Sequence, residues 1–380
     1  MPFKTTTIGI LGGGQLGKML IQEAVNLNIE LFVLDPDVNA PCKHLAAHFT
    51  CGSLQDFNTV YNFGKQVEIL TIEIEHVNVE ALFKLEAEGV KVFPQPKVLQ
   101  MVQDKGAQKL FYQENNIATA PYFLANNKIE SQQIWEQEGK AFMQKLRKGG
   151  YDGKGVTKLM KASDLANAFD APCVMEELVN FKKEIAVIVA RNTNGEIAVY
   201  DVVEMDFNPE QNLVEFLQMP ANVSKEVEKS AKEIALKVAE CAGIVGILAV
   251  EMFLTHDDEV LVNEIAPRPH NSGHQTIEAC STSQYAQHLR AILNLPLGST
   301  VCHKPSIMVN LLGAPGKTGD AVYEGLDKVL KLPHVYVHLY GKKITKPYRK
   351  MGHVTILNDT IEEAIKNARI VQNSLKVTSL

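Results

Sequence analysis

Two glutamates, Glu251 and Glu264, sit in apolar runs, Val245–Leu254 and Val260–Ile265, that read as strands. Between them lies Thr255-His256-Asp257-Asp258-Glu259. With Asp257 and Asp258 as a two-residue hairpin turn, facing positions sum to 515, so Glu251 is expected opposite Glu264 on one face of the sheet. Like charges directly opposite destabilise a strand pair, and a shared cation offsets the repulsion. Carboxylate oxygens suit Mg²⁺ or Mn²⁺, ions that also hold nucleotide phosphates. The expectation depends on register, because a slip of one residue sends the two side chains to opposite faces.

A second group surrounds residues 147–155, Arg-Lys-Gly-Gly-Tyr-Asp-Gly-Lys-Gly, which place four glycines and three cations between two strand candidates. Glycine lets backbone amides approach phosphate oxygens closely, and the cations offset phosphate charge. The spacing is not that of a P-loop and no helix follows, yet four glycines exceed what a hairpin turn needs, which favours phosphate binding. Just before the loop, strand alternation puts Phe142, Gln144 and Leu146 on one face and Met143 and Lys145 on the other. Lys145 is thereby aimed at the same phosphates. Downstream of Glu264, the run Ile265-Ala-Pro-Arg-Pro-His-Asn-Ser-Gly-His274 brings Arg268, His270 and His274 together. Arginine binds phosphate or bicarbonate in bidentate fashion, so this segment reads as an anion pocket.

A third motif opens the chain. Gly12, Gly14 and Gly17 spell G-x-G-x-x-G after a strand candidate and before a helix candidate, and Asp35 ends the next strand. By itself this admits a dinucleotide site, another phosphorylated ligand, or a plain turn.

The elements that position these groups are legible in outline. Strand candidates Thr6–Leu11, Leu31–Leu34, Glu68–Ile74 and Val90–Phe93 alternate with helical patterns, predicting a parallel α/β sheet over residues 1–103. A helix from about Lys105 to Asn115 opens a second region, 104–300. Strand candidates Ala141–Leu146, Thr157–Met160, Cys173–Val179, Ile185–Val189 and Ile197–Val203 follow. The run Ser224–Cys241 predicts an amphipathic helix with Ser224 as N-cap and Gly243 just past its end. Residues 301–380 read as a small third domain with strands Ser306–Leu311, Val335–Leu339 and His353–Leu357 and a closing helix from Ile361.

Composition narrows the class. The 380 residues are 46% hydrophobic and 22% charged, which excludes collagen, coiled coil and wholesale disorder. The net charge of −6 disfavours general binding to nucleic acid or anionic membranes. The six cysteines form no CxxC pair, which fits reduced thiols rather than a zinc or thioredoxin-type site. The start has too short an apolar run for a signal peptide, and Ile244–Leu254 is too short, with Glu251 inside it, to span a bilayer. These features predict a cytoplasmic protein.

A glycine-rich loop between strands, a preceding lysine and two strand carboxylates resemble the site of ATP-grasp enzymes, in matching order over roughly residues 100–300. GGGQLGKM near the start, TIEIEHV at 71–77, GGYDGKG at 149–155, NEIAPRPHNSGH at 263–274 and YRKMGH at 348–353 together resemble the N5-carboxyaminoimidazole ribonucleotide synthetase family. The resemblance runs through almost the whole chain. It implies an ATP-grasp fold with an N-terminal Rossmann-like (pre-ATP-grasp) domain, a lid subdomain at about 117–180 and a small C-terminal domain. It also implies a ligase of purine biosynthesis. ATP phosphorylates bicarbonate to carboxyphosphate, and 5-aminoimidazole ribonucleotide is carboxylated to its N5 carbamate, with ADP and phosphate released.

Residue by residue, the resemblance implies that ATP meets Lys105, Lys145, Gly150, Tyr151, Asp152, Gly153, Lys154, Gly155, Val156, the hinge Glu176, Glu177, Leu178 and Val179, the ribose acid Glu184, and Asn263 with Glu264. Gln15, Leu16, Glu73, Tyr151, Asp152, Arg268, Arg349 and Lys350 are implied for the ribonucleotide and bicarbonate. Catalytic parts fall to Asp152, as a candidate acceptor of the amine proton, and to Lys154, Arg268, His270 and Lys350. Glu251 and Glu264 would hold Mg²⁺. The family suggests a homodimer with no nucleic-acid or membrane partner. Two positions depart from the pattern: Ala266 stands where many ATP-grasp enzymes carry Asn, and Lys154 where some family members have Arg. Formate-dependent glycinamide ribonucleotide transformylase is the nearest rival. A nicotinamide oxidoreductase would use the first glycine motif but leaves Glu251, Glu264 and the second loop unexplained, and a nucleotide sensor would not need the pocket around Arg268.

Overall fold

The computed structural model describes residues 6–150, 155–208 and 213–380. At the N-terminus five parallel strands lie in the order His48–Cys51, Leu31–Asp35, Ile8–Leu11, Ile69–Ile72, Lys91–Phe93. Ile8, Ile10 and Leu11 are fully buried, as a central parallel strand covered on both faces must be. The chain order reverses direction on either side of Ile8–Leu11. The crevice at the carboxyl ends of the strands flanking such a switch point is where open α/β sheets take ligands. The glycine motif, Asp35 and Glu73 all emerge there.

A four-stranded antiparallel sheet follows, ordered Tyr122–Ala125, Cys173–Glu177, Phe142–Leu146, Val156–Leu159. The cation-rich loop joins its last two strands in space, and residues 178–180 lead from it into the next sheet. The alternation expected at Phe142–Leu146 is present. Phe142 and Gln144 are buried against the helix Lys128–Glu138 side, where Gln144 binds Ser131, while Lys145 faces the cleft.

The largest sheet has nine strands. Its main path runs Val260–Ala266, Gly246–Thr255, Phe181–Arg191, Val203–Asn208, Leu213–Met219, Ser306–Leu312, Lys350–Leu357, Val335–Leu339, with Ile197–Val199 pairing to the side. One face packs Ile185, Val187, Leu248, Val250 and Met252 against Val227, Ala231, Ala235 and Val238 of the helix Lys225–Ala242. That helix begins and ends where expected: Ser224 accepts a hydrogen bond from the Val227 amide at 3.3 Å, and Gly243 adopts a left-handed φ of +61°. Such a φ costs glycine little and other residues more.

One expectation changes. The segment Ile197–Val203, expected as one strand, is two, because the chain leaves the sheet at Tyr200 and Asp201 before Val203 re-enters it. Residues 301–380 divide their strands between two sheets. Ser306–Leu312 pairs with Leu213–Met219, so the C-terminal strands extend the central sheet. The remaining three-stranded sheet joins Ile344–Thr345, Gly319–Glu324 and Lys376–Ser379. No helix among the described residues is long and apolar enough to cross a membrane.

Candidate active site

Glu251 and Glu264 do face each other, though by another route than a two-residue turn. Near the turn the register is Leu254 with Val260 and Met252 with Val262, one residue off the expected sum. The turn is longer: the Thr255 amide donates to the Glu259 carbonyl at 2.9 Å, and Asp258 takes a left-handed φ of +63°. A bulge at Asn263 then restores the offset and returns Glu264 to the position opposite Glu251. Ala186 pairs with Glu251 on the other side, which places Glu184 on the same face two residues away.

Their surroundings shift these three glutamates in different directions. The Lys105 ammonium lies 2.6 Å from Glu264 Oε2 and holds that carboxyl well below the usual range. Glu251 is the deeper of the two, retaining 16% of its side-chain surface against 44% for Glu264. Burial, and then the facing charge of Glu264, push Glu251 up. Glu184 is likewise raised, to about 7, by burial and by Glu264.

On one side of the pair lies a cluster of lysines. Lys105 is the first residue of the helix Lys105–Glu114, capped by Asp104, whose carboxylate accepts from the Gly106 and Ala107 amides at 2.9 and 3.2 Å. The same carboxylate takes a bidentate contact from Arg147 at 2.8 and 2.7 Å, and the Lys105 amide donates to the Arg147 carbonyl at 2.9 Å. The start of the cation-rich loop is therefore pinned to the helix that carries Lys105. Lys145 reaches Glu176 Oε2 at 2.8 Å and donates to Asn263 Oδ1 at 3.0 Å. Lys109, four residues after Lys105, contacts Glu176 Oε1 at 3.3 Å and donates to Thr119 at 2.6 Å. Burial lowers the Lys109 ammonium to about 8. Lys105, Lys109, Lys145, Glu176, Asn263 and Glu264 line one small cavity.

The hinge residues divide their tasks. The Glu176 carboxylate is buried and engaged by both lysines, so its side chain serves as their counter-ion. Glu177 pairs with Lys140 at 2.6 Å, Leu178 donates its amide to the Ala141 carbonyl at 3.0 Å, and Val179 is half-buried at the crossing between the sheets. Gly150, Gly155 and Val156 flank the loop, with the Gly155 carbonyl accepting from the Leu146 amide at 2.8 Å. Tyr151, Asp152, Gly153 and Lys154 lie outside the described residues.

On the other side of the pair stands His270. Its Nδ1 accepts from the Ser272 amide at 3.3 Å, and Ser272 Oγ is 2.9 Å away, so its proton sits on Nε2, which faces Glu251 Oε1 at 3.2 Å. Burial, with help from Arg268 and Lys350, lowers His270 to about 3, and the ring is neutral. Lys350 acts electrostatically on both Glu251 and His270 although it is about ninety residues away in the chain. Arg268 binds Glu75 Oε1 at 2.8 Å and donates to the Pro269 carbonyl at 3.0 Å. Arg349 donates to the Ile344 carbonyl at 2.6 Å. Gln284 clamps the backbone of His270 from both sides, accepting from its amide at 2.8 Å and donating to its carbonyl at 2.7 Å. His274 is buried behind it, with its Nδ1 3.1 Å from the Tyr285 hydroxyl.

The N-terminal glycine motif is filled from within. Gly13 donates to Asp35 at 2.6 Å, and Gly14 and Gly17 donate to Glu73, the latter at 3.3 Å. A Cβ on Gly14 would collide with the Glu73 carboxylate. The amides that a dinucleotide's pyrophosphate would require are thus already taken, which removes the basis for a nicotinamide reading. Burial and the Asp35 charge raise Glu73 to about 7. Gln15 and Leu16 start the helix Gln15–Asn26 at the same corner, and Lys18 on that helix donates to the Leu339 carbonyl at 2.8 Å, tying this domain to the C-terminal strands.

Four contributors are absent from the sequence-derived set: Asp104, Lys109, Glu75 and Gln284. Lys109 had a signal in its spacing from Lys105, and Glu75 in the period-two pattern of TIEIEHV. The other two had none.

Comparison with known proteins agrees with this layout. Sequence profiles match three consecutive stretches: a ribonucleotide synthetase preATP-grasp domain at residues 5–103, an ATP-grasp domain at 110–285, and a phosphoribosylaminoimidazole carboxylase C-terminal domain at 306–367. N5-carboxyaminoimidazole ribonucleotide synthase of Bacillus subtilis is 38% identical over 365 residues, 94% of this chain and 93% of that one. The chloroplastic phosphoribosylaminoimidazole carboxylase of Vigna aconitifolia is 38% identical over 373 residues, and this chain spans 66% of its length. Among solved structures, N5-carboxyaminoimidazole ribonucleotide synthetase from Thermotoga maritima has a TM-score of 0.92 at 43% identity, covering 99% of this chain and 100% of that one. The Aspergillus clavatus enzyme, in complex with ADP and 5-aminoimidazole ribonucleotide, has a TM-score of 0.89 at 35% identity, covering 97% and 98%. The chain belongs to the N5-carboxyaminoimidazole ribonucleotide synthetase family of ATP-grasp proteins.

Proposed function

We propose that this chain is an ATP-dependent ligase that carboxylates 5-aminoimidazole ribonucleotide with bicarbonate, giving N5-carboxyaminoimidazole ribonucleotide, ADP and phosphate in purine biosynthesis. The observation that carries the reading is the division of the cleft by the facing pair Glu251 and Glu264, with lysines on one side and His270, Arg268 and Lys350 on the other. Lys105 and Lys145 gather the ATP phosphates, offsetting the repulsion that bicarbonate oxygen meets as it attacks the γ-phosphorus. Carboxyphosphate forms there, and its carbon passes to the exocyclic amine of the ribonucleotide as phosphate leaves. Because His270 is neutral, Arg268 and Lys350 supply the positive charge at that end. Asp152 takes the amine proton, and Gln15, Leu16 and Glu73 hold the ribonucleotide at the N-terminal crevice.

Glu251 and Glu264 fit a hard divalent cation. Both are oxygen donors on one face, and among the described residues no three His, Cys, Asp or Glu side chains cluster as a metal site of their own, so ligand oxygens would complete the shell. Mg²⁺, or Mn²⁺, would neutralise phosphate charge when bound. The family resemblance supports a cytoplasmic homodimer acting on small molecules only.

The test is release of ADP by the purified protein. It should require bicarbonate and 5-aminoimidazole ribonucleotide together. ADP release supported by formate and glycinamide ribonucleotide instead would assign the rival transformylase reaction.

A further inference from the structure

Away from the cleft, two cysteines with no part in the proposed chemistry sit directly across from each other. Cys280 follows the short helix Thr276–Ala279, and Cys302 lies in the segment that leads to Ser306–Leu312. They form an antiparallel bridge. The Ser281 amide donates to the Val301 carbonyl at 3.0 Å and the His303 amide to the Ala279 carbonyl at 2.8 Å. Those two bonds bracket Cys280 and Cys302, which makes them a non-hydrogen-bonded pair, the pairing in which side chains approach most closely. Cα atoms in such a pair are about 4.5 Å apart, inside the range of about 4.4–6.8 Å that a disulfide spans without backbone movement. The Cys302 thiol donates to the Lys304 carbonyl at 3.0 Å. Cys280 is buried, whereas Cys302 keeps partial access to solvent.

We propose that Cys280 and Cys302 are a reversible thiol–disulfide site, oxidised by small-molecule disulfides. Cys302, the accessible partner, attacks one sulfur of the oxidant as a thiolate and releases one thiolate of the oxidant, leaving a mixed disulfide. Cys280 then attacks the Cys302 sulfur, and the second thiolate departs. The two protons lost by the protein thiols go to the two released thiolates. The protein is oxidised by two electrons, and the small disulfide is reduced to two thiols. Closure staples the segment between residues 280 and 302, which contains the helix Gln284–Ile292 and with it Gln284, the residue that clamps the His270 backbone.

The experiment treats the full chain with oxidised glutathione, blocks remaining thiols by alkylation, and maps each cysteine by peptide mass. Cys51 and Cys241, both exposed, report how far the oxidant has acted on unpaired thiols. The expected result is a cross-linked peptide joining Cys280 to Cys302, its mass lower by two hydrogens, that dithiothreitol restores. Slower amide exchange across residues 281–301 should accompany it. Cys302→Ser should abolish the cross-link while Cys51 and Cys241 still form glutathione adducts. The proposal is overturned if Cys280 and Cys302 are both still alkylated once Cys51 and Cys241 carry glutathione, and equally if the cross-link forms but exchange across 281–301 is unchanged.

Discussion

The two ends of the cleft use the same residue types to opposite effect. At the lysine end two carboxylates are matched one for one or better by cations: Glu264 by Lys105, and Glu176 by Lys109 and Lys145. At the His270 end burial acts the other way, lowering His270 and raising Glu251 and Glu73, while Arg268 is paired with Glu75 at 2.8 Å. Glu251 and Glu264 face each other across one strand pair, so their contrast cannot come from the residue or the local backbone. It comes from Lys105 on one side and burial on the other. An end rich in ion pairs can exchange those partners for phosphates without uncovering a bare charge. At the other end Arg268, held by Glu75, and Lys350 bring positive charge beside groups that burial turns towards their uncharged forms.

The strongest way to break this comparison is to remove the carboxylate that the two ends share. Glu264→Gln should leave Lys105 without its ion pair and the cation site with one carboxylate, and turnover should fall by roughly a hundredfold or more, since each charge-assisted contact contributes about 1.5–3 kcal/mol. Steady-state ADP release at saturating Mg²⁺ checks it, with far-ultraviolet circular dichroism showing that the fold survives. Near-normal turnover would remove Glu264 from the metal assignment.

The His270 end should show itself in pH dependence. Glu73 has an ordinary value of 4.5 and a folded value raised to about 7, so the folded protein retains a proton that the unfolded chain releases over that interval. Stability from this group is therefore full below pH 4.5 and falls as pH rises towards about 7. Glu73→Gln, which cannot ionise, should flatten that part of the decline in thermal midpoint. A wild-type slope that persists unchanged in the variant would show that Glu73 is not the group responsible. The smallest effect belongs to the pin between the lysine helix and the loop. Asp104→Asn keeps a cap but loses the Arg147 ion pair, which is partly exposed, so the cost should be about 1 kcal/mol or less and the apparent ATP affinity should drop only a few-fold. A loss as large as that of Glu264→Gln would mean the pin is itself part of the phosphate site.

How much of this the sequence carries depends on how far apart the partners lie. The helix Lys225–Ala242 is announced by Ser224 and Gly243, which act within a few residues of themselves. The facing of Lys145 follows from strand alternation alone. The Glu251–Glu264 pairing is also visible, but the expected two-residue turn is wrong by one, and the bulge at Asn263 that cancels the error leaves no mark in residue type. The pairing of Ser306–Leu312 with Leu213–Met219 is invisible because nothing local encodes which strand a strand will join. Glu176 carries the sharpest lesson. Its motif position suggests a ligand contact, yet only the fold shows that two lysines from different elements converge on it.

If the lysine end serves ATP and the His270 end serves the ribonucleotide, one variant at each end should separate the two ligands. Isothermal titration calorimetry of Lys145→Ala and Lys350→Ala, each titrated with ATP and with 5-aminoimidazole ribonucleotide, tests it most directly. Lys145→Ala should weaken ATP binding by roughly ten- to hundredfold and spare the ribonucleotide, and Lys350→Ala should do the reverse, with each lost contact contributing about 1.5–3 kcal/mol. Loss of ATP binding in Lys350→Ala as severe as in Lys145→Ala, or unchanged ribonucleotide binding in Lys350→Ala, would contradict the division of the cleft.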